Sequence, residues 1–107
     1  METKITQQGE AAIITVDGRV DTVTAVEFEK NISPVLDSDA KTIVLDCSGL
    51  EYISSSGLRV FLMMQKRMTA RQGKLHLCGL RPNIKEIFDI SGFSSIFKLF
   101  DRLEDAL

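Results

Sequence analysis

Short apolar runs typical of strands alternate along the chain with longer stretches that have the period of about 3.6 residues of a helix. The β-branched run Ala12–Val16 is followed by Asp17-Gly18 and predicts a strand that ends there in a turn. A preceding strand over Lys4–Gln8 would pair with it across a turn at Gly9. The other predicted strands are Thr42–Leu45, Leu75–Cys78 and Ile96–Phe100.

Helical spacing predicts four helices. The first begins at Thr24, the second covers Leu58 to about Gln72, the third extends from Pro82 to Ser91, and the fourth covers Arg102–Leu107. Thr24 and Glu27 fit a capping box at the start of the first helix, and Pro34 is expected to kink or end that helix. In the second helix, the stripe expected to face the core consists of Leu58, Phe61, Leu62, Gln65, Met68 and Thr69.

The predicted order of elements along the chain is therefore ββαβαβαβα. Helices that connect successive strands imply a parallel sheet with helices packed on it, whereas the opening pair of strands, joined by a short turn, is antiparallel. The sequence thus predicts an α/β fold with a mixed, mostly parallel sheet. At 107 residues, the chain is expected to form one domain over residues 1–107.

Composition and charge exclude several classes of protein. Hydrophobic residues make up 44% of the chain and charged residues 26%, as in an ordinary globular domain. No apolar run approaches the roughly 18–20 residues of a membrane span, and the amino terminus has no apolar signal segment. The formal net charge of −2 disfavours nucleic-acid binding, which depends on a basic surface. Cys47 and Cys78 form no CxxC pair, so we expect reduced thiols in a cytoplasmic protein.

Patterns that indicate catalysis or metal binding are weak. His76 is the only histidine and lies between two leucines of a predicted strand, which favours a structural role over that of a general base. The serines lack the G-x-S-x-G nucleophile elbow, which disfavours a small serine hydrolase. Cys47, His76 and Cys78 are irregularly spaced, so buried cysteines are favoured over a zinc site. We therefore predict no enzymatic activity, no cofactor and no metal.

Three consecutive serines and a glycine, Ser54–Gly57, lie at the junction between a strand and the second helix. Ser54 is suited to cap this helix, because the first amide N–H groups of a helix lack intrahelical acceptors. The same position favours anions, so a phosphate on one of these serines would be stabilised there. On spacing alone, simple capping and a phosphorylation site both stay open.

Three segments of the chain, taken in order, form one pattern. The longest segment reads Ile43-Val44-Leu45-Asp46-Cys47-Ser48-Gly49-Leu50 and then Tyr52-Ile53-Ser54-Ser55-Ser56-Gly57-Leu58. Gly18-Arg19-Val20-Asp21 precedes it and Pro82–Phe93 follows it. Together they resemble the STAS domain of bacterial anti-sigma factor antagonists, and the resemblance covers nearly the whole chain. Gly18–Asp21 is similar to the G-x-(L/V)-D turn of that family, and Pro82–Phe93 is similar to its third helix and the glycine and hydrophobic residue that follow.

The resemblance implies a small cytoplasmic switch without enzymatic activity of its own. An unphosphorylated member of the family binds an anti-sigma factor, typically a serine kinase with a GHKL-type ATP-binding fold, and thereby releases a sigma factor. The kinase phosphorylates a serine in a D-S-S/T-G motif, which weakens the complex, and a PP2C-type phosphatase reverses the modification. The residue that matches this serine is Ser55.

Two positions depart from the pattern of the family. Ser54 replaces the acidic residue that usually precedes the phosphoserine, so the phosphoacceptor could be displaced to Ser54 or Ser56. Arg59 replaces a small residue and adds a cation one helical turn after Ser55.

The second helix also predicts a surface for a partner. Val60, Met63 and Met64 fall outside the expected core stripe, and Arg67 and Arg71 fall on the same side. An exposed apolar strip edged by cations is typical of a binding surface, although the third helix could cover part of it. The residues expected to bind the partner are Asp21, Thr22, Ser54, Ser55, Ser56, Gly57, Arg59, Val60, Met63 and Met64.

Two other functions of the same fold stay open. The chain could be a phosphorylated switch subunit in a partner-switching pathway that does not end in a sigma factor. It could also bind a small ligand such as a lipid or a nucleotide, although the sequence contains no dedicated pocket motif.

Overall fold

Six strands form the central sheet of the computed structural model, which describes all residues from Met1 to Leu107. The strands are β1 (Glu2–Gln8), β2 (Ala11–Val20), β3 (Thr42–Asp46), β4 (Leu50–Ile53), β5 (Lys74–Cys78) and β6 (Lys98–Phe100). Their spatial order is β1-β2-β3-β5-β6, and β4 pairs with β2 outside this path. Only β1 and β2 are antiparallel, so the predicted mixed, mostly parallel sheet is confirmed.

Four α-helices cover the two faces of the sheet unequally, and they are α1 (Thr24–Leu36), α2 (Ser55–Ala70), α3 (Pro82–Ile90) and α4 (Leu103–Ala106). One residue from each of α1, α2 and α3 meets in the main core, where the Phe61 ring centroid lies 5.8 Å from that of Phe28 and 6.2 Å from that of Phe88. On the opposite face, Ala106 of α4 joins a small buried cluster with Val44. Successive residues of the strands point to opposite faces, so continuous apolar runs supply both clusters.

The predicted end of β2 at Asp17-Gly18 is wrong, because the strand continues to Val20. Gly18 has a φ of +95°, which favours glycine, and its N–H donates to the Gly49 carbonyl at 2.8 Å. The strand register shifts between Gly18 and Arg19, and β2 then pairs in parallel with β4, a strand that the sequence analysis missed. This extra pairing brings the ends of β2 and β4 together at one edge of the sheet.

The predicted capping box of α1 is also wrong. Thr24 is the first residue of the helix rather than its N-cap, and the N-cap Val23 makes no side-chain hydrogen bond. Pro34 does not end the helix, which continues to Leu36. Proline lacks the N–H that would donate to the Lys30 carbonyl, and the helix ends two residues later.

α2 faces the core with a stripe different from the predicted one. Its buried residues are Gly57, Val60, Phe61, Met64 and Met68, whereas Leu58, Leu62 and Gln65 are half-buried and Thr69 is exposed. The buried stripe is rotated towards α1, which packs beside α2 on the same face of the sheet. The predicted exposure of Val60 and Met64 is therefore wrong.

Candidate functional site

The ends of β2 and β4 place two strand-to-helix junctions side by side. Val20, the last residue of β2, is the strand partner of Ile53, the last residue of β4. The Ser54 N–H then donates to the Val20 carbonyl at 2.8 Å. Because both strands run in the same direction, α1 and α2 begin next to each other at this edge of the sheet.

The junction between β2 and α1 is built around Asp21. One carboxylate oxygen, Oδ1, accepts hydrogen bonds from the N–H groups of Val23 and Thr24, at 3.0 and 2.9 Å, and from the Thr24 hydroxyl at 3.1 Å. The bond from the Thr24 N–H is the largest cause that holds the pKa of Asp21 below its ordinary value of 3.8. Asp21 thus caps the first turn of α1.

The junction between β4 and α2 gives its three serines different surroundings. Ser54 is the N-cap of α2, and its hydroxyl oxygen accepts a hydrogen bond from the Gly57 N–H at 3.3 Å. Ser55 is the first residue of the helix and is exposed, whereas Ser56 is half-buried. The Ser55 hydroxyl makes no hydrogen bond to the protein. Simple capping therefore accounts for Ser54 and leaves Ser55 accessible.

Gly57 allows α2 to lie directly against the ends of both strands. A Cβ atom added at this position would lie 2.7 Å from Cγ1 of Ile53 and 2.8 Å from Cγ1 of Val20. Any other residue would force these two side chains or the first turn of α2 to shift. Gly57 thus acts in packing, and it is buried rather than available to a partner.

A groove of about 410 Å³ separates the first turns of α1 and α2. It is lined by Thr22, Ala25, Val26 and Glu29 on one side and by Ser56, Arg59, Val60 and Met63 on the other. Val60 is only 6% exposed and lies at the base of the groove, whereas Met64 is fully buried and does not line it. The half-buried Met63 is the predicted apolar residue that stays accessible.

The two arginines expected at the edge of the partner surface bind within the chain instead. Arg71 Nη1 donates to the carbonyls of Ser38 and Ala40 at 2.8 and 3.2 Å, and its Nη2 donates to the carbonyl of Leu36. Arg67 Nη2 donates to the same Leu36 carbonyl at 3.1 Å and to Oδ1 of Asp37 at 2.9 Å. Both side chains thus fasten the end of α1 to α2.

Two apolar residues beside the groove, the N-cap Val23 of α1 and Val26 in its first turn, were missed from the sequence. Val23 is 80% exposed and Val26 is 72% exposed, well beyond what packing of a core valine would leave. Both lie off the buried stripe of α1, which contains Ala25 and Phe28. Their position on the helical wheel was the available signal, because a valine outside the core stripe of a helix is an exposed apolar residue.

The cysteines and the histidine lie apart from this site. Cys47 and Cys78 are both buried free thiols, and burial is the main reason that the pKa of each is raised, for Cys78 to about 11. His76 Nδ1 lies 2.8 Å from the carbonyl oxygen of Ala106, and its ring packs against Phe100. The structural role expected for His76 is consistent with these contacts, and no group of three or more potential ligands is arranged for a metal ion.

The molecule is an α/β domain with a mixed, mostly parallel sheet. Two helices begin side by side at one edge of this sheet, and the first residue of one of them is an exposed serine. The family model of the STAS domain matches residues 2–106, and the chain belongs to this family. BtrV of Bordetella bronchiseptica, which is named as a proposed anti-sigma factor antagonist, is 40% identical over 94 residues, or 88% of this chain and 81% of BtrV. An anti-sigma factor antagonist, as BtrV is named, is a regulator rather than an enzyme. None of the helices combines the length and the apolarity needed to cross a membrane.

Solved structures have the same fold. An anti-sigma factor antagonist from Mycobacterium paratuberculosis matches with a TM-score of 0.90 at 24% identity, over 98% of this chain and 89% of that one. The Bacillus cell fate determinant SpoIIAA in its phosphorylated form matches with a TM-score of 0.76 at 21% identity, over 98% and 96% of the two chains. At these identities, the similarity shows the fold.

Proposed function

We propose that this chain is an anti-sigma factor antagonist controlled by phosphorylation of Ser55. In its unphosphorylated form it binds an anti-sigma factor, a serine kinase with a GHKL-type ATP-binding fold, which then releases its sigma factor. The kinase phosphorylates Ser55, and a PP2C-type phosphatase removes the phosphate. The chain acts in the cytoplasm as a regulator without catalytic activity of its own.

The observation that carries this proposal is the accessibility of Ser55 between a capping serine and a half-buried one. The hydroxyl of Ser54 accepts from the Gly57 N–H, and Ser56 is half-buried in the wall of the groove. Ser55 is exposed and its hydroxyl makes no hydrogen bond to the protein, so a kinase can reach it without unfolding the helix. This favours Ser55 over its two neighbours as the phosphoacceptor.

A phosphate on Ser55 is compatible with the helix that carries it. It would lie in the first turn of α2, where the helix dipole favours an anion. Arg59 lies one turn later on the neighbouring surface position and supplies a cation. We therefore attribute inhibition to the binding surface, where the partner would have to desolvate a bulky dianion or meet it with acidic groups.

The proposed partner surface follows the structure rather than the full set of residues expected from the sequence. It consists of Thr22, Ser55, Ser56, Arg59 and Met63, together with the exposed Val23 and Val26. Asp21 and Ser54 shape this surface as helix caps, and the buried Gly57, Val60 and Met64 support it.

Incubation with ATP and a purified GHKL-type anti-sigma factor kinase, followed by measurement of the intact mass, tests the proposal. We expect a gain of about 80 Da, the mass of one phosphoryl group, only when the kinase is present. Ser55→Ala should abolish this gain and preserve binding to the kinase, because it removes a hydroxyl and adds no charge.

Ser54→Ala and Ser56→Ala are the matched controls and should both still be phosphorylated. A phosphopeptide that maps to Ser54 or Ser56 would contradict the assignment of Ser55. A chain that binds the kinase but gains no mass would contradict control by phosphorylation and leave the binding function in place.

A further inference from the structure

The residues that line the groove between α1 and α2 have the same sequence spacing on both sides. Thr22 lines the groove just before α1, and Ala25, Val26 and Glu29 of α1 follow at i+3, i+4 and i+7; the lining residues of α2 have the same spacing from Ser56. Because each helix follows one of two parallel strands, β2 and β4, α1 and α2 run in the same direction. The groove therefore extends along both helices for about two turns from the junctions.

The floor of the groove is apolar and its rims carry opposite charges. Ala25 and Val60 form the floor, with 4% and 6% exposure. Glu29 on the α1 rim and Arg59 on the α2 rim are both exposed, and neither makes an ion pair or a side-chain hydrogen bond within the chain. Glu29 lies five residues after the start of α1 and Arg59 four residues after the start of α2, so both charges lie in the second turn of their helices.

We propose that the groove binds one amphipathic helix of the partner, which places an acidic residue against Arg59 and a basic residue against Glu29. The proposal rests on the proposed function, since it assigns the partner segment that this surface receives. A third helix fits because apolar residues at i, i+3 or i+4 and i+7 interdigitate with two parallel ridges of the same period. The charge pairs select the segment and its direction rather than supply most of the affinity.

The position of Arg59 connects this groove to the modification site. Ser55 precedes Arg59 by one turn of α2, so a phosphate there lies next to the position of the acidic residue that Arg59 receives. The phosphate competes for the Arg59 guanidinium and repels the acidic side chain. The Arg59 guanidinium therefore selects the acidic residue of the partner, and phosphorylation of Ser55 makes this guanidinium unavailable to it.

Binding of four synthetic helical peptides to the full chain tests this assignment. Each peptide is acetylated, amidated and of about 14 residues, with leucines on one stripe and two positions, one on each flank of that stripe, occupied by Glu–Lys, Lys–Glu, Glu–Glu or Lys–Lys (length and stripe set by about 3.6 residues per turn). We expect one of the two mixed peptides to bind most tightly, by about fivefold over the like-charged ones, and to shift the methyl NMR signals of Val26 and Met63.

Charge-reversal variants of the chain identify the contacts. Arg59→Glu should transfer the preference to the Lys–Lys peptide, and Glu29→Lys should transfer it to the Glu–Glu peptide. Lys66→Glu, which changes an exposed charge of α2 outside the groove, is the matched control and should keep the wild-type order.

Three results would overturn the assignment: no peptide binds, the four peptides bind alike, or the methyl signals that shift lie outside the groove. In each case, phosphorylation of Ser55 and binding of the kinase are measured separately. The groove assignment can therefore fail while the proposed function holds, and a chain that binds peptides but no kinase would give the opposite result.

Discussion

The two ends of the α1–α2 pair contain similar residues and use them in opposite ways. At the anchored end, Arg67 and Arg71 donate to backbone carbonyls from Leu36 to Ala40 and so hold the two helices together. At the open end, Arg59 has no intramolecular partner and Ser55 has an accessible hydroxyl. The difference is set by the backbone, since unpaired carbonyls at the end of α1 lie within reach of only the later arginines.

This comparison shows that an arginine beside an apolar strip does not by itself indicate a binding surface. The anchored end satisfies its polar groups internally and contributes to stability, whereas the open end leaves them for another molecule. Variants at the anchored end should therefore change stability, and variants at the open end should change binding. The predictions below test this separation.

The largest difference between the two regions is expected when Met64→Glu is compared with Met63→Glu. Met64 is fully buried in the main core, so a glutamate there would bury an unpaired charge and lower the free energy of unfolding by about 4 kcal/mol or more. Met63 is half-buried in the groove wall, so Met63→Glu should weaken partner binding and leave the melting temperature nearly unchanged. Thermal melts and binding measurements on both variants check this, and equal destabilisation by the two would contradict the separation.

The same comparison is made with charged residues, between Arg71→Ala and Arg59→Ala. Arg71→Ala leaves the carbonyls of Ser38 and Ala40 without this donor and should lower the free energy of unfolding by about 1–2 kcal/mol. Arg59→Ala removes no intramolecular hydrogen bond and should change it by less than about 0.5 kcal/mol. Urea unfolding monitored by circular dichroism measures both values, and a larger effect of Arg59→Ala would show that the open end is also structural.

The sequence predicted the sheet well, because the parallel strands are buried on both faces and form continuous apolar runs such as Thr42–Leu45. β4 was not predictable, since its pairing depends on the register shift after Gly18 in a strand far away along the chain. Of its four residues, only Leu50 and Ile53 are buried, which gives a weak local signal.

The candidate site was predictable only where its chemistry is local. The Ser54 cap and the position of Ser55 follow from neighbouring residues, and the structure agrees for the cap. The orientation of α2 was not predictable, because apolar residues occur on two sides of this helix, at Leu58 and Leu62 and also at Val60 and Met64. Which side is buried depends on where α1 packs, and periodicity contains no information on that contact.

Acid should loosen the open end before the anchored end. The lowered pKa of Asp21 means that its carboxylate stabilises the folded state above the ordinary value of 3.8 and that this contribution is lost as the pH falls through the lowered pKa. Below that pH, the hydrogen bonds from the N–H groups of Val23 and Thr24 should weaken, whereas the Arg71 contacts with carbonyls do not titrate. NMR amide shifts followed down to acidic pH check this order.

Asp21→Asn is the matched control for the acid titration. The amide side chain retains a hydrogen-bond acceptor but cannot titrate, so the Thr24 amide signal should lose its pH dependence in this range. If the Thr24 signal of the variant still moves with the wild-type midpoint, a different group controls the first turn of α1.

The smallest expected effect separates two explanations of how a phosphate at the open end would act. Because the phosphate lies in the first turn of α2, the helix dipole stabilises it by roughly 0.3–1 kcal/mol. Arg59 at i+4 can add a charge-assisted pair, which is weak when exposed. The phosphorylated chain should therefore keep its helix content and melt at or above the temperature of the unmodified chain, and Arg59→Ala should narrow or reverse that difference in melting temperature.

Circular dichroism melts of the four forms, with and without phosphate and with and without Arg59, measure the effect. If the phosphorylated form loses helix signal or melts clearly lower, phosphorylation inhibits by unfolding the open end; if it does not, inhibition lies in the interface itself.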